Sequence, residues 1–221
     1  MVHDMRLVAS AILLLPTLLF AQSAQPKFLY IYRDSLKSGV DSAFRAIEND
    51  AAQICADLKC PNPYLALESL SGVPHEAWWI NAFADAADTV RVLRAYATNR
   101  PLSEALAEIS KRKEPLVGKP IQGFAVHRPE LSRGAVWPIA RARFVVVTMT
   151  RIRSASEASV WQMADSTLYI FRPARTRAEA VALANQHSGR AFVIRPNWSM
   201  PMSEWVAADT TFWRLAPKAK R

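Results

Sequence analysis

The chain has 221 residues, with 28 Lys and Arg against 19 Asp and Glu, a formal charge of +9, and 51% hydrophobic residues. That apolar content excludes a disordered polar tail, and six glycines exclude a collagen repeat. Two cysteines are too few for a disulfide-built scaffold, and the length suits one large domain or two small ones.

Residues 1–25 read as a secretory signal peptide. Arg6 supplies a short positive start, and the apolar run Leu7–Phe20 falls short of the roughly 20 residues a spanning helix needs. Ala21-Gln22-Ser23 predicts cleavage after Ser23, with Ala21 and Ala24 as alternatives. The mature chain is then expected in the periplasm or secreted, with no transmembrane segment after cleavage. In that oxidising compartment Cys55 and Cys60 can pair. Residues five apart in an unbroken helix exceed the Cα–Cα limit of about 7 Å, so a disulfide needs the helix to end between them. Pro61 and Pro63 allow that. A buried free Cys55 beside an exposed Cys60 is the alternative.

Lys27–Arg33 alternates as a strand. Ser38 and Asp41 form a capping-box pattern before the amphipathic series Val40, Phe44, Ile47, Ala51, Ile54 and Leu58. Tyr64–Leu70 and Ala77–Phe83 are strands joined by the Gly72-Val73-Pro74 turn. Asp85 and Asp88 open a helix carrying Val90, Leu93 and Tyr96, and Pro101 opens another carrying Leu102, Leu106 and Ile109. Lys111, Arg112 and Lys113 sit where the helix dipole favours cations. Ile121–His127 is a further strand. The order β-α-β-β-α-β, with one extra helix, suits a ferredoxin-like sheet covered by helices on one face.

Residues 129–140 read as a linker. Beyond it come a long strand over Arg143–Arg153, a strand over Thr167–Arg172, and a helix capped by Thr176 and Glu179 and ended by Gly189. Ala191–Arg195 is the last strand. The layout repeats the first half without its first helix, because a parallel crossover needs a dozen or more residues and Ser154–Ser159 is too short. The segment after Ser159 is expected to pair as a hairpin or run along an edge. The organisation is therefore a signal peptide (1–25), a first repeat (26–128), the linker, a shortened second repeat (141–215) and a basic tail (216–221).

Tyr30-Ile31-Tyr32-Arg33-Asp34, Tyr64–Ser69, Ala77-Trp78-Trp79-Ile80-Asn81 and the strand from Ala142-Arg143-Phe144 resemble NIPSNAP-like members of the dimeric α+β barrel superfamily. Glu204–Asp209 with Phe212-Trp213 looks like the tail of exported bacterial proteins of that type, which have no assigned function. The resemblance implies an α+β fold in which two ferredoxin-like sheets, here tandem repeats, pack face to face as a barrel. The missing helix departs from that pattern and leaves complete closure an open question. The superfamily spans cofactor-free oxygenation, haem degradation, isomerisation and proteins without known chemistry, so the fold does not name a reaction.

In such a barrel, strand parity offers one constellation. Leu29/Ile31, Leu65/Leu67 and Phe124/Val126 form apolar faces expected to meet the helices. The opposite faces, carrying Tyr30, Tyr32, Glu68, Trp79, Asn81 and His127, would converge on the interior as a pocket for a small aromatic or apolar ligand. Glu68 or His127 could move a proton, while Asn81 and the tyrosines orient the ligand. Interface groups satisfied by hydrogen bonds are the plainer reading. Trp79, Asn81 and His127 match in type only the set used by haem-degrading relatives. No nucleophile elbow, phosphate loop, metal motif or cofactor motif is present in the sequence.

The reading carried forward is an exported, soluble barrel that leans away from catalysis and uses no cofactor. Its partners are a small ligand, a protein partner or a second copy of the chain. A cofactor-free monooxygenase or isomerase is one alternative, and a binder of anionic surfaces through the basic half is another. No specific nucleic acid is expected, since neither a reading motif nor interleaved aromatics occur. The charge is lopsided: residues 24–118 balance to −1 and residues 119–221 to +10.

Overall fold

A computed structural model of the chain describes residues 26–133, 137, 139–152, 156 and 158–213. The signal peptide, the cleavage position at Ser23 and the basic tail lie outside the described residues. Alternating apolar residues form β1 (Phe28–Ser35), β2 (Tyr64–Ser69), β3 (Glu76–Phe83) and β4 (Ile121–His127). Between them run α1 (Asp41–Asp57), α2 (Ala86–Thr98) and α3 (Arg100–Lys113). The second half supplies β5 (Phe144–Thr150), β6 (Ser159–Met163), β7 (Leu168–Ala174), α4 (Arg177–Gln186), β8 (Arg190–Ile194) and the short α5 (Ser203–Ala208).

Two helices begin at the residues the sequence named, a third is capped by Asn99, which it did not name, and the first lacks its expected cap. Asp85 accepts from the Asp88 amide, Asn99 accepts from Leu102, and Thr176 with Glu179 forms the full capping box. The Ser38/Asp41 box does not form. The helix begins one residue after Val40, which has no capping side chain, so Asp41 lies inside the first turn. Asp41 instead meets His75 at 3.1 Å. At its other end α1 stops at Asp57, Lys59 adopts a φ of 57°, and Cys55 and Cys60 form a disulfide across 4.7 Å between Cα atoms.

The eight strands close into a barrel in the order β1-β3-β2-β8-β5-β7-β6-β4, with every neighbouring pair antiparallel. Closure, which the missing helix left open, is complete. Strand β6 does form the expected hairpin with β7, but it also pairs with β4 through Ala125–Met163 and His127–Trp161. A helix is not needed to close a ladder; five residues with both backbone edges paired suffice. The first arc reads β4-β1-β3-β2 and the second β8-β5-β7-β6, the same order within each half.

The interior is lined by apolar side chains. Leu29, Ile31, Leu65, Leu67, Trp78, Ile80, Val147, Trp161, Phe171 and Phe192 belong to one buried cluster inside the barrel. Leu29/Ile31 and Leu65/Leu67 therefore face inward, opposite to expectation. The physical reason is that both sheet faces are covered. A sealed barrel interior demands apolar side chains, whereas a face under helices accepts aromatic and polar groups with partners. On the outer face α1 packs Phe44 against Ala66, Ala77 and Trp79, and α4 packs Ala180 and Ala184 against Val146 and Ala191. Phe124 and Val126 do lie outside, but they remain exposed. On α2 the buried residue is Val92, while Val90 and Leu93 face solvent.

Candidate functional site

The inversion disperses the predicted pocket. Of its six residues only His127 points into the barrel, because it pairs with Trp161 and their rings lie 5.0 Å apart. The other five are on the outer face. Tyr30 donates to Gln122 Oε1 at 2.5 Å and packs on Phe124, and burial raises its phenol pKa. Asn81 Oδ1 accepts from Asn62 Nδ2 at 2.8 Å, and Asn62 Oδ1 in turn accepts from the Tyr96 hydroxyl at 3.1 Å. Tyr96 is pushed up to about 12 by burial.

Tyr32 and Trp79 sit under α3, with the Lys113 ammonium 5.6 Å and 4.3 Å from their ring centres. The same ammonium lies 3.1 Å from Asp34 and 3.2 Å from Glu48, both carboxylates being buried. Burial raises the Glu48 carboxyl, against the pull of Lys113. Burial also disfavours the charged Lys113, but the two carboxylates outweigh it and hold the ammonium above its ordinary value. Sequence reasoning placed Lys113 with the helix dipole. No local signal marked its buried partners, which lie on β1 and α1.

The sixth residue, Glu68, leads to a cleft of ≈ 440 Å³. It lies across the β2–β8 seam at one end of the barrel, between the start of α1 and the turn joining β2 to β3. Glu68 Oε1 accepts from Arg45 Nε and Nη2 at 3.0 and 2.8 Å, and its Oε2 pairs with Arg195. Deeper in, Glu76 accepts from Arg33 Nη2 at 2.8 Å and from Arg190 Nη1 at 3.1 and 2.9 Å. Arg33 also stacks 4.4 Å from the Trp78 ring centre and donates to the Tyr169 hydroxyl at 3.3 Å. The carboxylates lie beneath and the guanidiniums above. Glu68 is 12% exposed against 51% for Arg45, and Glu76 is 4% exposed against 25% for Arg190.

The turn is shaped around this arrangement. Gly72 has a φ of +90°, and a Cβ there would come within 2.8 Å of Arg190 Cγ. His75, at a φ of 55°, puts Nδ1 3.1 Å from Asp41 on the rim. Sequence reasoning singled out Glu68 and missed Arg33, Arg45, Arg190 and Arg195. Their convergence from three separate segments, β1, α1 and β8 with its exit, leaves no linear motif.

The other barrel end is capped. Ile139, Ala142, Trp205 and Trp213 join the interior cluster there, and Trp213 Nε1 donates to the Ala140 carbonyl at 2.7 Å. Arg143 pairs with Asp209 and stacks 3.9 Å from the Phe212 ring centre. Hydrogen bonds from Thr211 and from Arg143 hold the Asp209 carboxyl down at about 2. Beneath this strap, Trp137 lies edge-on to Trp161 and Phe171. Burial lowers the pKa of His127, so its neutral form is favoured.

Among the described residues no group of three His, Cys, Asp or Glu side chains could hold a metal ion, and no helix is long and apolar enough to cross a membrane. No family model matches the chain, and no curated protein does. Solved structures do. The chain is similar to a Fusobacterium nucleatum protein provisionally named a monooxygenase, with a TM-score of 0.50 at 6% identity, over 80% of this chain and 93% of that one. A Lactobacillus acidophilus protein with the same provisional name gives 0.44 at 8% identity, over 76% and 94%. An uncharacterized NIPSNAP domain protein from Burkholderia xenovorans gives 0.37 at 13% identity, over 46% and 95%. The likeness to the Fusobacterium nucleatum protein, at 6% identity, shows a shared fold and says nothing of chemistry.

Proposed function

We propose that this chain is an exported binding protein, built of two tandem ferredoxin-like repeats, that takes a small organic anion in the cleft across the β2–β8 seam. The observation that carries the reading is the layering of charge. Glu68 and the buried Glu76 hold Arg45 and Arg195 on the cleft wall, and Arg190 beside it, from below, while the guanidiniums are the more exposed partners. Each guanidinium has five N–H donors and spends only part of them on Glu68 or Glu76. The remainder can meet a carboxylate or phosphate, the groups whose geometry arginine matches. Leu36, Leu70, Pro74 and Val193 add apolar wall, which suits an anion carried on a short carbon body.

The same strand order in both arcs supports the tandem reading, with residues 26–128 and 141–215 as the repeats. The Cys55–Cys60 disulfide supports export, since such bonds persist in oxidising compartments. A monooxygenase reading rests on fold likeness alone, which does not assign chemistry.

Titration calorimetry of the purified chain with succinate, citrate and inorganic phosphate at low salt tests the proposal. Saturable binding to one of them is expected, weakened at least about tenfold in Arg195→Gln. Absence of binding to all three, or an unchanged affinity in Arg195→Gln, removes the reading.

A further inference from the structure

At the capped end of the barrel, four polar atoms are buried without a partner among the described residues: His127 Nε2, Trp137 Nε1, Ser159 Oγ and Trp161 Nε1. They share one stretch of wall. Trp161 pairs with His127 across β6–β4, Ser159 pairs with Phe171 across β6–β7, and Trp137 lies against both Trp161 and Phe171. Ser159 and Trp161 are 1% and 0% exposed. Both project inward, because they alternate with Val160, which belongs to the outer cluster with Leu168 and Ile170. Folded proteins rarely leave such atoms unmet, and an unexplained group of them calls for a bound polar molecule.

We propose that this capped end is a second binding site, for a small neutral molecule with a flat aromatic body and a carbonyl-type hydrogen-bond acceptor, enclosed by the C-terminal strap. The two indole N–H groups are donors only, and the Ser159 hydroxyl can add a third donor, so the complementary group is an acceptor. No charged side chain belongs to the set, and Arg143 and Asp209 above it neutralise each other. A lone anion or cation would lose its hydration with no counter-charge in return. The rings of Trp161 and Phe171 meet Trp137 edge-on here, 6.1 and 5.6 Å between centres, so an aromatic body takes its place beside them by displacing Trp137 and then makes stacking and edge contacts. Entry requires the strap to lift. Its ties are the Arg143–Asp209 pair, Phe212 on Arg143 and the Trp213–Ala140 hydrogen bond.

The test is a titration of the full chain, labelled with ¹⁵N-tryptophan, with benzamide. Trp137→Phe and Trp161→Phe assign the two indole N–H signals. Saturable movement of both is expected, with the signals of Trp79 and Trp198, on the outer face, unmoved. Ser159→Ala, a small change in the fold, is expected to weaken benzamide about tenfold. Asp209→Asn is expected to speed its exchange, and Arg195→Gln, at the opposite end, to change nothing. The proposal is overturned if neither signal moves up to the solubility limit, or if Trp79 and Trp198 move alongside them. It is equally overturned if both indole groups contact a slowly exchanging water that benzamide does not displace, which is a water site only.

Discussion

At the open end of the barrel the buried carboxylate Glu76 has two guanidiniums within hydrogen-bond reach, while at the capped end four neutral polar atoms have no partner among the described residues. An unpaired buried charge is so costly that a fold cannot leave one standing. A neutral orphan costs about 1–3 kcal/mol, which a domain can carry. The first arrangement holds its shape by itself and offers spare donors outward. The second stores unmet donors inward and recovers their cost only when something binds.

The two seams that close the barrel show the same contrast. Across β2–β8, Arg190 and Arg195 from the basic half meet Glu76 and Glu68 from the other half. Across β4–β6 the join is His127 on Trp161, with Arg128 Nε donating to the Gln162 amide oxygen at 2.7 Å. The charge imbalance read along the chain is thus partly spent on joining the halves, and only at one seam.

The largest effect that would break this comparison lies at Glu76. Removing its charge in Glu76→Gln leaves Arg33 and Arg190 facing each other, and urea unfolding should show a loss of about 3–5 kcal/mol. A loss below about 1 kcal/mol would mean the cluster behaves as an ordinary surface pair. Next comes Gly72→Ala, which strains a φ of +90° and pushes on the Arg190 stem. Its expected cost is about 1–2 kcal/mol, with weaker anion binding in the same calorimetric assay. At the capped end, Ser159→Ala in the unliganded protein should change stability by less than about 1 kcal/mol, since the hydroxyl lost has no partner among the described residues. A larger loss in urea unfolding would show that the hydroxyl is satisfied after all.

The smallest effect is local and depends on pH. Asp209 is held at about 2, below its ordinary 3.8. A lowered carboxylate contributes fully above its ordinary value and loses that contribution as pH falls through the lowered one. Hydrogen exchange of residues 203–213 should therefore be unchanged from pH 8 to 5, after correction for intrinsic rates. Protection there should fall between roughly pH 4 and 2. Loss of protection already near pH 6 would assign the strap to another group.

Much of the fold was legible before the structure. The strands, the long first helix and the Thr176/Glu179 cap are local patterns, set by residues within one turn or one pleat of each other. The disulfide was legible as one of two options, because Pro61 and Pro63 end the helix in the right place. The candidate site was legible only at Glu68 and His127. Alternation in β1 shows that Leu29 and Tyr30 point to opposite faces, but not which face is sealed, and the wrong choice turned over five of six residues.

By itself, the sequence determined most of the elements, their order and the uneven charge, since each depends on neighbours in the chain or on simple counting. The tertiary structure alone decided barrel closure, the inward face and both sites. Closure rests on β6 finding β4, and the cleft on arginines from three segments meeting two carboxylates. Those are contacts between residues dozens to more than a hundred positions apart, and no local pattern encodes which distant partner a side chain will meet.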